Sequence, residues 1–126
     1  MSILNQIAVI LVLTTAVGSA TCRPPETPRP MFGRASWYGK VFQGKRTASG
    51  ERFNTRDLTA AHRTLPLGSR VLVTNLKNGR SVVVRINDRG PVIRSRMLDM
   101  SYGTALALDV GKDGVVEVRV DVISSS

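Results

Sequence analysis

Apolar and polar side chains alternate along several stretches of the chain. In "VVVRINDRGP", Val82, Val84 and Ile86 alternate with Val83, Arg85 and Asn87. A period of two is the mark of a strand with one face in a core. Continued one step, the alternation puts Asp88 on the apolar face, just before a Gly90-Pro91 turn. In "GVVEVRVDVI", Val116, Val118, Val120 and Val122 face one way, and Glu117, Arg119 and Asp121 the other. Further strands are predicted at Arg34–Tyr38, at Leu58–Leu65 (stopped by Pro66) and at Ser69–Leu76. Asn78-Gly79 is a strong hairpin signal joining that last strand to Ser81–Asp88. The stretch "VFQGKRTASGERFN" is rich in Gly and polar residues and reads as a loop. One helix is predicted in "SYGTALALDVG", with Ser101 as N-cap and Gly111 as terminator. The inventory is all-β: about six short strands and one short helix. A small closed barrel accommodates it without open edges.

The N-terminal residues follow a different pattern. Ile7–Val17 is an apolar run, short for a bilayer span, followed by the small residues of "GSATC". Residues 1–21 are therefore expected to be an export signal, although no Lys or Arg precedes the apolar run. Pro24 and Pro25 separate this segment from the rest, which argues against a core helix. Cys22 is the sole cysteine, so no intrachain disulfide forms, and it stands where lipoprotein signals place a lipidated cysteine. The preceding "SAT" departs from the usual lipoprotein pattern. Lipidation of Cys22 is the favoured reading, and ordinary signal cleavage after Ala20 the competing one. Residues 22–32 read as a proline-rich tether, 33–123 as one folded domain, and 124–126 as a tail.

Composition narrows the picture. With 126 residues and 42% hydrophobic content, one compact domain is expected. Aromatics make up only 5%, so the core must rest on Val, Leu, Ile and Ala. The formal charge is +9, and between Arg34 and Arg96 fourteen Lys or Arg stand against three acids, Glu51, Asp57 and Asp88. Such a surface favours anionic partners, unless it is simply a solvated basic face. Where acids are this scarce, each calls for a local reason.

Asp88 has two readings. At the end of a strand on its apolar side, a carboxyl loses hydration, as a general acid working near neutral pH requires. Alternatively, in "NDRG", it accepts backbone N–H groups of the turn or pairs with Arg89. His62, the only histidine, falls on the face of Ala60 and Thr64 and is either a satisfied structural residue or part of a site. Glu51 follows Gly50 in the loop and is either an exposed carboxylate or a functional group held on a scaffold. With one His and one Cys, a zinc site is not expected, and no cofactor motif is present. Aromatics do not interleave with the basic residues, so a nucleic-acid platform is not supported.

Four motifs, "GRASWYG", "RTASGERFN", "LTAAHRTLPLGSRVLVTNLKNGRSVVVRINDRGP" and "RMLDMS", together resemble the rare lipoprotein A family of bacterial envelope proteins. They occur in that family's order and spacing, over roughly Gly33–Ile123. The resemblance implies a six-stranded double-psi β-barrel, a fold shared with expansins, barwin-like proteins and family 45 endoglucanases. It implies lytic transglycosylase activity on peptidoglycan glycan strands stripped of stem peptides, without a cofactor. The chain is expected to be a monomer in the cell envelope, touching the membrane only through the lipid anchor read at Cys22. The family's functional residues fall on Asp88, Glu51 and His62. Asp99 of "RMLDMS" matches a further family position and is read as structural, a cap for the following helix. The implied chemistry leaves open whether Asp88 or Glu51 is the general acid.

Overall fold

The computed structural model describes residues 29–38, 43–112 and 114–125. The segment expected to be an export signal, Cys22 and most of the expected tether lie outside them. Six strands, β1 (Met31–Trp37), β2 (Thr59–His62), β3 (Arg70–Asn75), β4 (Ser81–Asp88), β5 (Leu98–Met100) and β6 (Val115–Ser124), close in the order β1-β5-β2-β4-β3-β6. The β1–β5 and β2–β4 pairs are parallel, and the other four are antiparallel. Closure removes sheet edges, which suits a chain of short, Val-rich strands.

The core is aliphatic. Val71, Val73, Val84, Ile86, Leu98, Met100, Leu108, Val118 and Val120 are all but inaccessible to solvent. Burying such side chains contributes about 1.5–3 kcal/mol each. Ion pairs as exposed as Arg34–Glu117, 3.0 Å apart, contribute about 0–1 kcal/mol. The barrel is thus held mainly by its interior.

Four of the boundaries that differ from those predicted have a clear local reason. β1 starts at Met31, because Met31 and Phe32 pair with Val120 and Arg119 of β6. β6 runs to Ser124, which pairs with Arg70. β2 stops at His62 rather than Leu65, where the ring accepts the N–H groups of Thr64 and Leu65 and turns the chain. The helix α1 (Tyr102–Ala107) is N-capped by Ser101 as expected, but it ends before Gly111. Leu108 is its C-cap, and Asp109 takes the left-handed conformation (φ 51°) that ends it. The sixth strand, β5, has only three residues, too few for a period to show in sequence.

Glycine is required at position 103 by space. A Cβ there would lie 2.4 Å from the backbone oxygen of Arg56, so α1 packs directly on the 56–57 backbone. We predict that Gly103→Ala costs about 1–3 kcal/mol, as overpacking does. This corresponds to a drop of roughly 5–20 °C in a thermal melt. On the same helix, Leu106→Ala at an exposed position should change stability by no more than about 0.5 kcal/mol.

Candidate active site

The chemistry collects where β4 leaves the barrel. β2 pairs with β4 in parallel, matching Ala60 with Ile86 and then Ala61 with Asp88. Asn87 is thus an extra residue on β4, a β-bulge beside the site. The bulge reverses the face that alternation assigned to Asp88. Ala60 and Ile86 point into the core, so Ala61 and its partner Asp88 point away from it. Asp88 is therefore half-buried on the outer wall and not on the apolar side.

The freed Asn87 anchors the loop predicted between β1 and β2. Within that loop, residues 44–53 form a small hairpin, closed by Gly44 N–H to Phe53 O at 2.9 Å and Thr47 N–H to Glu51 O at 2.8 Å. The hairpin docks on β4 through Ser49 N–H, which donates to Asn87 O at 3.1 Å, and through Ala48 N–H, which donates to Asp88 Oδ1 at 3.0 Å. Glu51 completes the dock. Its Oε1 accepts from Arg85 Nη1 at 2.7 Å and from the Asn87 side-chain amide. The Arg85 hydrogen bond is the main cause that holds the Glu51 carboxyl below its ordinary range, with Asn87 adding to it.

Asp88 Oδ1 accepts a second backbone N–H, from Arg89 at 2.9 Å. Among the described residues its Oδ2 makes no hydrogen bond. Asp88 lines a cleft of about 220 Å³ with Tyr38, Ala61, Gly90, Val92 and Asp99. Glu51 and His62 are not among the lining residues. Larger grooves flank α1, one of about 370 Å³ along Trp37, Tyr102 and Leu106 and one of about 570 Å³ beside Arg56. They do not bring two carboxyls together, and chemistry selects the smaller cleft.

His62 is buried at the end of β2, one residue past Ala61. Its Nδ1 accepts from Thr64 and Leu65, both at 3.1 Å, so the neutral ring carries its proton on Nε2. Burial, and then the charges of Arg63 and Arg89, hold its pKa below 6.5. Of the three residues singled out from sequence, the structure joins Glu51 to the Asp88 strand and uses the His62 ring to brace the adjoining turn. Arg89 Nη1 donates to His62 O at 3.2 Å and also to Leu65 O.

Several residues of the site carried no signal in the sequence. Arg85 and Asn87 read there only as the polar face of a strand. Tyr38 packs on Phe53 with ring centroids 4.9 Å apart. Burial, and then the charges of Asp88 and Asp99, keep its phenol protonated well above the ordinary range. Asp99 does not cap α1, since Ser101 does; it belongs to β5 and accepts from Ser36 Oγ at 2.8 Å.

Residues 31–120 match the lytic transglycolase family. The chain is 60% identical over 91 residues to the probable endolytic peptidoglycan transglycosylase RlpA of Synechocystis, covering 72% of this chain and 28% of that protein. It is 50% identical over 91 residues to the endolytic peptidoglycan transglycosylase RlpA of Campylobacter jejuni, covering 72% of this chain and 33% of that one. The chain thus spans only about a third or less of these relatives' length. Among solved structures, the Streptomyces papain inhibitor superimposes with a TM-score of 0.59 at 22% identity, over 77% of this chain and 96% of that chain. An apo expansin of Clavibacter michiganensis superimposes with a TM-score of 0.61 at 21% identity, over 78% of this chain and 52% of that chain. These likenesses are of fold.

The His62 geometry predicts a pH effect on stability. The folded state disfavours the imidazolium, so the unfolded chain binds the proton first as pH falls. The resulting contribution is present above about pH 6.5 and is lost as pH falls from there through the lowered folded pKa. In His62→Asn, a side-chain oxygen can still accept the turn N–H groups. Denaturant titrations between pH 7.5 and 5 should show this loss in the parent and not in the variant.

Proposed function

The chain belongs to the lytic transglycolase family of RlpA-like double-psi β-barrels, and on that footing we propose that it is an endolytic peptidoglycan transglycosylase. Its substrate is the glycan strand free of stem peptides. The products carry 1,6-anhydro-N-acetylmuramic ends. The observation that carries the reading is Asp88 on the lining of a cleft, with Oδ1 clamped by two backbone N–H groups and Oδ2 without a hydrogen bond among the described residues. At about 220 Å³ the cleft is smaller than the ~300–1,000 Å³ of sites that engulf a small molecule. It suits one sugar of a long polymer lying across the wall.

Asp88 serves twice. Its carboxyl proton passes from Oδ2 to the oxygen between N-acetylmuramic acid and N-acetylglucosamine as the bond from that oxygen to C1 breaks. The muramic C6 oxygen then bonds to C1, and its proton returns to the Asp88 carboxylate. No water is consumed, and the acid is regenerated. Glu51 is poorly suited to the acid role, because it does not line the cleft and the Arg85 guanidinium, 2.7 Å away, favours its ionised form. It is a positioning residue, holding the 44–53 hairpin so that Ala48 N–H meets Asp88. The ion pair itself is half exposed and adds little stability, so its value lies in that placement. His62 positions the site too, by bracing the turn that Arg89 also grips.

Export to the cell envelope, with anchoring through a lipid on Cys22, completes the proposal. The partner is the glycan strand, met by a monomer.

The test is mass spectrometry of the fragments released from purified, stem-peptide-free glycan. The parent is expected to yield anhydro-muramic ends, and Asp88→Asn none. Glu51→Gln should keep measurable turnover, reduced about 10–100-fold, as expected when a group acts through another's placement. Reducing ends would mean a hydrolase. Binding without any release would mean an expansin-like module that grips the wall without cleaving it.

A further inference from the structure

The cleft holds a second carboxyl that the scheme above leaves unused. Asp99 sits between Leu98 and Met100 in β5, and both of these are buried in the core. Asp99 therefore points outward, as Asp88 does. The register explains how they meet. Ala61 of β2 pairs with Asp88 on one side and with Asp99 on the other. Beyond Asp99, the same row continues to Ser36 of β1. Four neighbouring strands thus present Ser36, Asp99, Ala61 and Asp88 side by side on one face. Two strand spacings separate the two acids, about 10 Å between their backbones. Along that row, Ala61 is the residue between them.

The orientation of Asp99 is also set. Arg96 Nη1 donates to Ser36 Oγ at 2.7 Å, and the Ser36 hydroxyl donates to Asp99 Oδ1 at 2.8 Å. A hydroxyl has one hydrogen, and Arg96 occupies a lone pair of this one, so its hydrogen is committed to Asp99. Oδ2 makes no hydrogen bond among the described residues. A Cβ built on Gly90 would lie 3.8 Å from Asp99 Oδ2 and 4.0 Å from Ala61 Cβ. The two acids thus share one arrangement: both line the cleft, with Oδ1 held by donors and Oδ2 without a hydrogen bond among the described residues.

We propose that Asp99 is a further catalytic residue, the carboxylate that faces C1 of the muramic sugar while Asp88 transfers the proton. This rests on the transglycosylase reading. When the bond from C1 to the leaving oxygen breaks, positive charge builds at C1 and the ring oxygen, and a fixed anion across the cleft stabilises it. Asp99 forms no bond and moves no proton in the step. Ser36 and Arg96 are positioning residues for it. Tyr38, which lines the same cleft and feels both acids, reports on the pair.

The experiment compares the parent with Asp99→Asn and Ser36→Ala, using release of anhydro-muramic ends to obtain kcat and KM. Asp99→Asn keeps the shape and removes the charge; it should lower kcat about 100-fold or more, with KM changed by less than about threefold. Ser36→Ala leaves the charge but frees its orientation, and should lower kcat about tenfold. Thermal melts and near-ultraviolet spectra identify the folded fraction, to which each kcat is referred. A merely structural Asp99 would lower that fraction and leave kcat per folded molecule unchanged. An active parent with kcat of Asp99→Asn within twofold of its own overturns this role and spares the proposed function. A parent that binds glycan yet releases no anhydro ends overturns both.

Discussion

The constraint on which the site depends is the register of β2, a strand of four residues held between β5 and β4. On the β5 side it runs antiparallel, on the β4 side parallel, and Ala61 lies in both ladders. The extra residue Asn87 shifts the parallel pairing by one position. Without that bulge, Asp88 would turn inward beside Ile86. Desolvating a lone carboxylate there is costly enough that the chain avoids it unless the group is paired. With the bulge, the acid lies on the outer wall, and the liberated Asn87 side chain and carbonyl dock the hairpin that supplies a donor to it. One irregularity therefore places the acid and fastens its support.

The strong basic charge has a similar local explanation. Arg63 Nη1 donates to Pro91 O at 2.7 Å, and its Nη2 donates to Arg96 O at 2.7 Å. Arg89 binds the carbonyls of His62 and Leu65. Arg46 and Arg52 bind Gly50 O and Gly44 O within the hairpin. Loops on a barrel this small have few ladder partners for their carbonyls, and unpaired polar groups that become buried are expensive. The guanidinium fork, with five donors, is well suited to gathering them. These arginines keep their positive charge, but many of their donors are engaged in shaping the loops around the cleft rather than in gripping an anionic partner.

The core and the candidate site are thereby separated in space. The buried apolar residues of the six strands are Val, Ile, Leu, Met and Ala, and they carry the barrel. The outward row of Ser36, Asp99, Ala61 and Asp88 contributes polar groups that the core does not need. The small side chain at Ala61 leaves room for the cleft, just as the absent side chain at Gly103 leaves room for α1 against the 56–57 backbone.

The sequence by itself determined the barrel's class and most of its strands, because alternation, turn residues and capping are local signals read over a few positions. The Val-rich runs of β3, β4 and β6, the Asn78-Gly79 turn and the Ser101 cap are all legible in this way. The four motifs also carried the family. Local signals could not reveal β5, whose three residues are too few to show a period. Nor could they reveal the Asn87 bulge, which exists only when β2 is laid against β4. For that reason alternation placed Asp88 on the wrong face, and Asp99 looked like a helix cap. Only the tertiary structure decided that these two acids flank one alanine, because that neighbourhood is created by pairing between strands and not by order along the chain.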